Sequence, residues 1–282
     1  MWLWGCNSLS KRIEMKRIDI DELRKIQMNI LDELKRICNE NGLTYYLGSG
    51  SLLGAVRHKG YIPWDDDIDI WMVREDYDKL MNFLKDRDIE KADWFSLLDE
   101  STEGYYYPFA KAVDNRTELK MERHTDHHGI WVDIFPIDGL PKSMLMTKFY
   151  IVLGSILRIE ALAMDANFKN KDIPLFDRFY KSLFYGLATL YGKRRFAKLY
   201  NNYCRRYKID NSENVASLFV SAGFREILNR EKLLHAATYR FEDREYTGFK
   251  NYDFYLSQMY GDYMTLPPEE KRRTHAFEAW WK

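Results

Sequence analysis

The first strong pattern in the chain is a helical repeat of apolar residues close to the N-terminus. The apolar positions of this repeat are Leu23, Ile26, Ile30, Leu34 and Ile37. Their spacing of three or four residues is that of one face of an α-helix. Asp19 precedes the repeat as an N-cap, with Glu22 at capping-box distance, and Asn41-Gly42 follows it as a helix end. The pattern therefore predicts a helix between Asp19 and Asn41.

Shorter apolar runs, bounded by turn residues, follow this helix and are typical of β-strands. The predicted strands are residues 45–47, 67–70, 94–98, 108–113 and 130–135. Short helices are predicted to begin at Ser51 and at about Glu75. This alternation predicts an α+β fold, a mixed sheet flanked by helices, that occupies residues 16–141.

From about Lys142 the pattern becomes mostly helical. Residues 149–157 and 182–192 are apolar, uncharged runs, and residues 241–255 have the pattern of a strand or hairpin that leads into a helix. We expect residues 142–282 to form a mostly α-helical region packed on the core, with both apolar runs buried. The alternative is shallow peripheral contact of these runs with a membrane. Residues 1–15 are predicted to be a disordered extension.

Composition narrows the functional classes. The chain has 282 residues, 46% of them hydrophobic, which is enough for a sizeable core. It carries 43 basic and 43 acidic residues, a balance that argues against nucleic-acid binding. No segment reaches the ~18 apolar residues of a membrane span. The three cysteines form neither a zinc motif nor a disulfide framework, so a reducing cytoplasm fits.

Residues 48–71, GSGSLLGAVRHKGYIPWDDDIDIW, combine three features that suit metal-assisted phosphoryl transfer. A Gly/Ser turn allows backbone N–H groups to approach phosphate oxygens. The basic cluster Arg57-His58-Lys59 offsets phosphate charge. Four aspartates supply the oxygen ligands that Mg²⁺ prefers.

The aspartates alternate with apolar residues in Asp67-Ile68-Asp69-Ile70, as in a half-buried strand. Asp67 and Asp69 then point to one face, roughly 7 Å apart, and repel each other unless a cation lies between them. The alternative interpretation is a solvated acidic turn at the start of a strand.

Two further charged residues interrupt apolar strands. Asp133 is the single acid within residues 129–136, and an acid in such surroundings is usually paired or metal-bound; the alternative is a cap for a turn at Pro136. Lys111 lies in residues 108–113, where it either contacts a phosphate or extends to solvent.

Taken together, these segments resemble the LicD family of phosphotransferases. The resemblance rests on the segments GSLLGAVRHKG at 50–60, IPWDDDIDI at 62–70, REDY at 74–77, DNRT at 114–117, VDIFPIDG at 132–139, YGDYM at 260–264 and LPP at 266–268. It extends from about Met15 to the C-terminus, although the middle of the chain matches only in its general aromatic and helical character.

The resemblance implies a nucleotidyltransferase-like fold and a transfer reaction. A phosphorylated alcohol, often phosphocholine, would pass from a CDP-linked donor to a sugar hydroxyl of a cell-surface glycan, such as lipopolysaccharide, teichoic acid or capsule, with release of CMP. The acceptor would be a glycan or lipid-linked glycan, and the site of action the cytoplasm or the inner face of the membrane. Carried onto this sequence, Asp67 and Asp69 are the metal pair, Asp133 is the third carboxylate, and Gly50 and Ser51 form the turn near the donor phosphates.

The sequence therefore predicts a Mg²⁺-dependent transferase, with Mn²⁺ as the alternative ion. The predicted catalytic and metal-binding residues are Asp67, Asp69 and Asp133. The predicted donor-binding residues are Gly50, Ser51, Arg57, Lys59 and Lys111. Two alternatives remain open: a nucleotidyltransferase that adds a nucleoside monophosphate to a small alcohol, and a non-catalytic glycan-binding module.

Overall fold

The computed structural model of the protein describes residues 16–86, 94–105, 107–121, 128–163, 191–220, 222–272 and 277–282. The predicted extension over residues 1–15 and most of the apolar run 182–192 lie outside the described residues.

The helices are α1 (Ile20–Glu40), α2 (Ser49–Arg57), α3 (Arg74–Asp86), α4 (Met144–Ala163), α5 (Lys193–Cys204), α6 (Arg230–Leu233) and α7 (Tyr252–Tyr260). The strands are β1 (Arg17–Ile18), β2 (Tyr46–Leu47), β3 (Asp69–Val73), β4 (Phe95–Leu98), β5 (Ala110–Asp114), β6 (Thr117–Met121), β7 (Trp131–Gly139), β8 (Asn214–Ala216), β9 (Leu228–Asn229), β10 (Ala236–Phe241), β11 (Arg244–Phe249) and β12 (Phe277–Trp281).

Helix α1 begins and ends where the sequence predicts. The Asp19 carboxylate accepts the backbone N–H of Glu22 at 2.8 Å, as an N-cap does. Asn41 is the C-cap, and Gly42 follows it in the left-handed region at φ 64°. The Glu22 carboxylate accepts hydrogen bonds from Lys16 and Trp281, so it ties the start of α1 to the C-terminal strand.

A mixed sheet with flanking helices confirms the α+β class. Its strands run in the order β10-β11-β2-β3-β7-β5-β4, and β8 and β9 extend it from the far end of β7. β3 and β7 are parallel neighbours, whereas β7 and β5 are antiparallel. Ile70, Trp71, Val132 and Ile134 are fully buried on these central strands, so apolar burial fixes their register.

The C-terminal half contributes more strand than its sequence pattern predicts. β10 and β11 form the hairpin foreseen around residue 241, and β11 joins the sheet through a parallel contact between Gly248 and Leu47. β12 pairs with both β1 and β6 in a separate three-stranded sheet. Sequence periodicity did not reveal this sheet because its strands are distant in the chain.

A buried ion pair connects α3, β7 and α5. Arg74 donates to both carboxylate oxygens of Asp138, at 2.7 and 2.5 Å, and to the side-chain oxygen of Asn201 at 3.0 Å. The two parallel bonds from the guanidinium match the planar carboxylate. The start of α3 is thereby fixed to the end of β7 and to α5.

Helix α4 contains the apolar run 149–157, and the expectation that this run is buried is wrong for one of its sides. Tyr150 and Ile151 are buried at 5% and 2% exposure, but Phe149 is 64% exposed and Val152 48%. An uncharged run has the same pattern whether one side or both sides of its helix are covered. In the part of the chain that the structure describes, no helix is both long and apolar enough to cross a bilayer.

Candidate active site

Two of the predicted site residues are neighbours where β3 begins. Asp69, the first residue of β3, is paired in register with Asp133 of β7. The backbone N–H of Asp133 donates to the carbonyl of Ile68 at 2.9 Å. Since paired positions on adjacent parallel strands face the same side of the sheet, about 4.8 Å apart, the two carboxylates lie side by side.

Asp67 joins them from the preceding loop. The strand starts at Asp69, two residues later than predicted, but the alternation holds: Ile68 and Ile70 are fully buried, while Asp67 and Asp69 are half-buried. Ile68 and Ile70 anchor this stretch to the core. Asp67 and Asp69, which alternate with them, lie near Asp133, whose charge acts on both.

The three carboxylates destabilise one another as anions. Burial raises the pKa of Asp67 well above its usual range, and the charges of Asp69, Asp65 and Asp133 raise it further. Burial and the Asp133 charge likewise raise the pKa of Asp69, against a hydrogen bond from Ser49 and the charge of Lys111, which lower it. The site therefore holds more negative charge than the single positive charge of Lys111 balances, and a bound cation would stabilise it.

Two neighbouring aspartates enlarge this cluster. One carboxylate oxygen from each of Asp65, Asp66 and Asp67 lies within 4.8 Å of the others. Helix α1 holds the loop that carries them, because Arg24 donates to the carbonyl of Asp65 at 2.6 Å and Gln27 to that of Asp66 at 2.9 Å. Hard oxygen donors at this density are the ligand type of Mg²⁺ and Mn²⁺.

The Gly/Ser turn is built against the same cluster. Helix α2 begins at Ser49 with Gly48 as N-cap, two residues earlier than predicted. The Ser51 hydroxyl accepts the backbone N–H of Asp69 at 2.8 Å, which joins the first turn of α2 to the start of β3. A Cβ on Gly50 would lie 2.6 Å from a carboxylate oxygen of Asp65, so an alanine here would require that carboxylate to move.

Ser49 belongs to the site, although the sequence analysis did not single it out. Its φ of 43° is in the left-handed region, which is rare for a residue other than glycine and is often found at functional sites. Its backbone N–H donates to the Tyr255 hydroxyl at 2.9 Å, and its side chain hydrogen-bonds Asp69. The signal in the sequence was the repeated Gly-Ser pair, in which both serines contact Asp69.

Lys111 forms an ion pair with Asp133. It is Asp133's register partner on β5, and its ammonium group donates to one carboxylate oxygen at 2.6 Å while the Trp131 indole donates to the other at 3.2 Å. Lys111 is 5% exposed and lies 3.9 Å from the Trp131 ring centre. The alternative that Lys111 extends to solvent is therefore wrong. The alternative role of Asp133 as a cap is also wrong, because β7 continues through Pro136 to Gly139.

Arg57 and Lys59 lie at the opposite end of α2 from Gly50 and Ser51. Ser49 and Arg57 are about 12 Å apart along the helix axis. Arg57 donates to the Tyr263 carbonyl and to the His58 ring, and burial lowers its pKa. Lys59 is exposed and donates to the carbonyl of Val56. These two cations are thus separate from the first turn of α2.

Aromatic residues border the acidic loop on both sides. The Trp64 ring, directly before Asp65, lies 6.2 Å from the His58 ring and 4.9 Å from the Arg272 guanidinium. Tyr260, at the end of α7, is 42% exposed, and its pKa is raised by burial and by the charges of Asp69, Asp65 and Asp67. Only the fold shows that Tyr260, distant in the chain, lies near enough to the carboxylates to be affected by their charge.

The chain is similar in sequence to several known proteins. Residues 42–155 match the family described as LicD/FKTN/FKRP, nucleotidyltransferase domain. The chain is 29% identical to the lipopolysaccharide cholinephosphotransferase LicD of Haemophilus influenzae over 270 residues, which cover 93% of this chain and 97% of that protein. It is 32% identical to the ribitol 5-phosphate transferase FKRP of Homo sapiens over 107 residues, 38% of this chain and 19% of that protein. It is 42% identical to the uncharacterized protein RP689 of Rickettsia prowazekii over 82 residues, 29% of this chain and 30% of that protein.

The matched region contains every residue of the predicted site. Residues 42–155 include the first turn of α2, the acidic loop, Lys111 and Asp133. The cholinephosphotransferase match continues beyond this domain through nearly all of the chain. The domain match over residues 42–155 and the similarity of nearly the whole chain to a cholinephosphotransferase together support a phosphotransferase of the LicD family, an enzyme that transfers phosphate-containing groups.

Proposed function

We propose that the protein transfers a phosphorylated alcohol, such as phosphocholine, from a CDP-linked donor to a sugar hydroxyl of a cell-surface glycan and releases CMP. The observation that carries the proposal is the register pair of Asp69 and Asp133, with Asp67 beside it, at the first turn of α2. The names of two relatives, a cholinephosphotransferase and a ribitol 5-phosphate transferase, favour a phosphorylated alcohol as the transferred group.

The carboxylates fit a divalent metal ion. Asp67, Asp69 and Asp133 would hold it, with Asp65 and Asp66 adjacent, and the raised pKa values of Asp67 and Asp69 indicate a site that lacks positive charge. A bound Mg²⁺ or Mn²⁺ would polarise the phosphoryl group and neutralise charge on the departing nucleotide. The positions of Asp67, Asp69 and Asp133 determine where the positive charge of the ion would lie.

The first turn of α2 offers the donor phosphates an anion site. The first backbone N–H groups of a helix have no acceptor within it, and the helix dipole makes that end positive. Gly50 and Ser51 lie in this turn, so their N–H groups would bind phosphate oxygens, as helix N-termini do in nucleotide-binding proteins. Arg57 and Lys59 lie at the other end of α2, so they would contact a different part of the donor from the one that binds the first turn.

Asp133 is the group we assign to the acceptor hydroxyl. The hydroxyl oxygen would bond to the phosphorus of the phosphorylated alcohol, and its proton would pass to the Asp133 carboxylate. The bond from that phosphorus to the bridging oxygen would break, and CMP would leave with that oxygen and its electron pair. Lys111 and Trp131 keep the carboxylate in one orientation, so Lys111 would act through Asp133.

The reaction is assigned to the cytoplasm. Cys38 and Cys204 are buried free thiols, and burial raises the pKa of Cys38 to about 12. Such thiols are unreactive and fit a reducing compartment.

The test is a donor panel with product analysis. The purified protein is incubated with Mg²⁺, deacylated lipopolysaccharide as acceptor, and CDP-choline, CDP-ribitol or CDP-glycerol in turn. We expect release of CMP with at least one donor and a new phosphodiester on the glycan by ³¹P NMR. Pyrophosphate release from CTP, with no CMP from any CDP-alcohol, would favour the nucleotidyltransferase alternative. Binding of the glycan without any product would favour the glycan-binding module.

A further inference from the structure

The outward side of α4 is apolar. Leu145 is 78% exposed, Phe149 64% and Val152 48%, and their spacing of four and three residues places them on one helical stripe. The opposite side, with Tyr150 and Ile151, is buried against the protein. A helix that is apolar all round normally has a partner on every side.

Exposed apolar residues are concentrated on this helix. The structure describes thirteen large hydrophobic side chains as exposed, and seven of them belong to α4. These seven are Met144, Leu145, Met146, Phe149, Val152, Leu153 and Ile156. Isolated exposed apolar side chains are ordinary on a protein surface, whereas a contiguous patch marks an interaction site.

The charge around this side is positive. Residues 141–157 contain Lys142 and Lys148 and no acidic residue, and Arg158 and Glu160 beyond them offset each other in charge. Lys142 and Lys148 are exposed. At the N-terminal end of α4, a cavity of about 430 Å³ is lined by Met146, Lys142, Arg206 and Lys208, among others. Apolar residues with lysine and arginine beside them match the acyl chains and phosphates of an anionic lipid surface.

The apolar side continues toward the candidate active site. The Lys148 ammonium group lies 5.9 Å from the ring centre of Phe224, which is 52% exposed. The next residue, Arg225, donates to the carbonyl of Met259 at 3.1 Å. Tyr260 follows, and it lies near enough to Asp69, Asp65 and Asp67 for their charges to raise its pKa. These contacts link α4 to the end of α7, the helix whose last residue is on the side of the carboxylates.

We propose that the outward side of α4, together with Phe224, docks on a bilayer that contains anionic phospholipids. Helix α4 lies in the plane of the interface, with Leu145, Phe149 and Val152 among the acyl chains and the lysines at the phosphates. This docking does not depend on which donor the enzyme uses. If the proposed function is right, docking brings the carboxylates to acceptor glycans carried on lipid.

The test is co-sedimentation with vesicles, which needs no substrate. Vesicles of phosphatidylcholine alone are compared with vesicles that also contain phosphatidylglycerol. We expect the wild type to bind the mixed vesicles and to bind less at high salt. Lys142→Glu/Lys148→Glu should weaken this binding at least about thirtyfold, since the loss of each basic residue near an anionic surface costs roughly fivefold and each new carboxylate is repelled by that surface. Lys25→Glu/Lys250→Glu, at exposed positions on α1 and directly after β11, is the charge-matched control and should bind as the wild type does.

A second pair of variants tests the apolar contact. Leu145→Ser/Phe149→Ser should abolish binding to mixed vesicles while the melting temperature stays within a few degrees, because both side chains are exposed. Met264→Ser/Leu266→Ser, at residues 56% and 46% exposed in the C-terminal segment, is the matched control. The proposal is wrong if the wild type ignores both kinds of vesicle, or if neither pair of substitutions changes binding. It is also wrong if size-exclusion chromatography shows a dimer that Leu145→Ser/Phe149→Ser splits, since the patch would then bind a second copy of the chain.

Discussion

At the residue scale, the site is defined by negative charge that the protein does not fully neutralise. Asp69 and Asp133 are register partners, Asp67 and Asp65 raise the charge density, and Lys111 is the buried cation bonded to Asp133. Burial and the neighbouring carboxylates raise the pKa of Asp67 and Asp69, so the metal-free protein is less stable when these two are ionised. This is the opposite of an ordinary paired aspartate, whose pKa is lowered.

The first prediction follows from the sign of this shift. Because the folded pKa of Asp69 is raised, its contribution to stability is present at acidic pH and is lost as the pH rises through the folded value. In EDTA, Asp69→Asn should therefore melt higher than the wild type at pH 8 and about the same at pH 4. Saturating Mg²⁺ should stabilise the wild type more than the variant. A variant that is less stable than the wild type at pH 8 in EDTA would contradict this account.

The second prediction concerns the buried pair of Lys111 and Asp133, whose side chains are 7% and 13% exposed. Removal of one partner leaves the other buried and unpaired, which costs about 3 kcal/mol or more. Asp133→Ala should therefore lower the free energy of unfolding by about that amount and reduce turnover at least ~100-fold. Chemical denaturation and CMP release measure the two effects.

The double variant Lys111→Met/Asp133→Ala separates stability from chemistry. It should regain much of the lost stability, because no unpaired charge remains, and it should stay inactive. Recovery of activity in the double variant would show that Asp133 takes no part in the reaction.

At the element scale, the first turn of α2 and the start of β3 form one unit. Ser49 and Ser51 contact Asp69 from within the helix, and Gly50 gives Asp65 room at the helix N-terminus. Any side chain at position 50 would have to displace the Asp65 carboxylate, whereas glycine leaves it in place.

The third prediction compares two glycines under the same substitution. Gly50→Ala should displace the Asp65 carboxylate from the helix N-terminus and reduce transfer, with a rise in the Mg²⁺ concentration needed for half-maximal rate. Gly42→Ala is the control, since it lies at the end of α1 with open space around it and a φ of 64°. It should cost about 1 kcal/mol of stability and leave transfer unchanged. Equal Mg²⁺ dependence in both variants would show that the Gly50–Asp65 approach is unimportant.

At the scale of the whole molecule, the features predicted correctly from the sequence are those determined by residues close together in the chain. The cap at Asp19, the end of α1 at Asn41-Gly42 and the alternation of Ile68 and Ile70 with aspartates are each determined within a few residues, and all are confirmed. The resemblance to the LicD family is also confirmed.

Features that depend on distant pairing could not be predicted in this way. The register of Asp69 with Asp133, and of Lys111 with Asp133, joins strands far apart in the chain. The pairing of β12 with β6 and the parallel contact of β11 with β2 are of the same kind. The exposed side of α4 was misjudged because periodicity distinguishes polar from apolar sides and this helix has no polar side. The assignment of the metal and donor residues stays a prediction.

The central claim is that the paired carboxylates hold the ion that the transfer requires. The most direct measurement is the rate of CMP release from CDP-choline, or from the donor that the panel identifies, as a function of Mg²⁺ concentration in the wild type, Asp69→Asn and Asp243→Asn. Asp243 is an exposed acid in the turn between β10 and β11, with a side chain 84% exposed. We predict that Asp243→Asn matches the wild type, and that Asp69→Asn keeps its fold but loses turnover at least ~100-fold even at saturating Mg²⁺. Near wild-type turnover by Asp69→Asn at saturating Mg²⁺ would contradict the account.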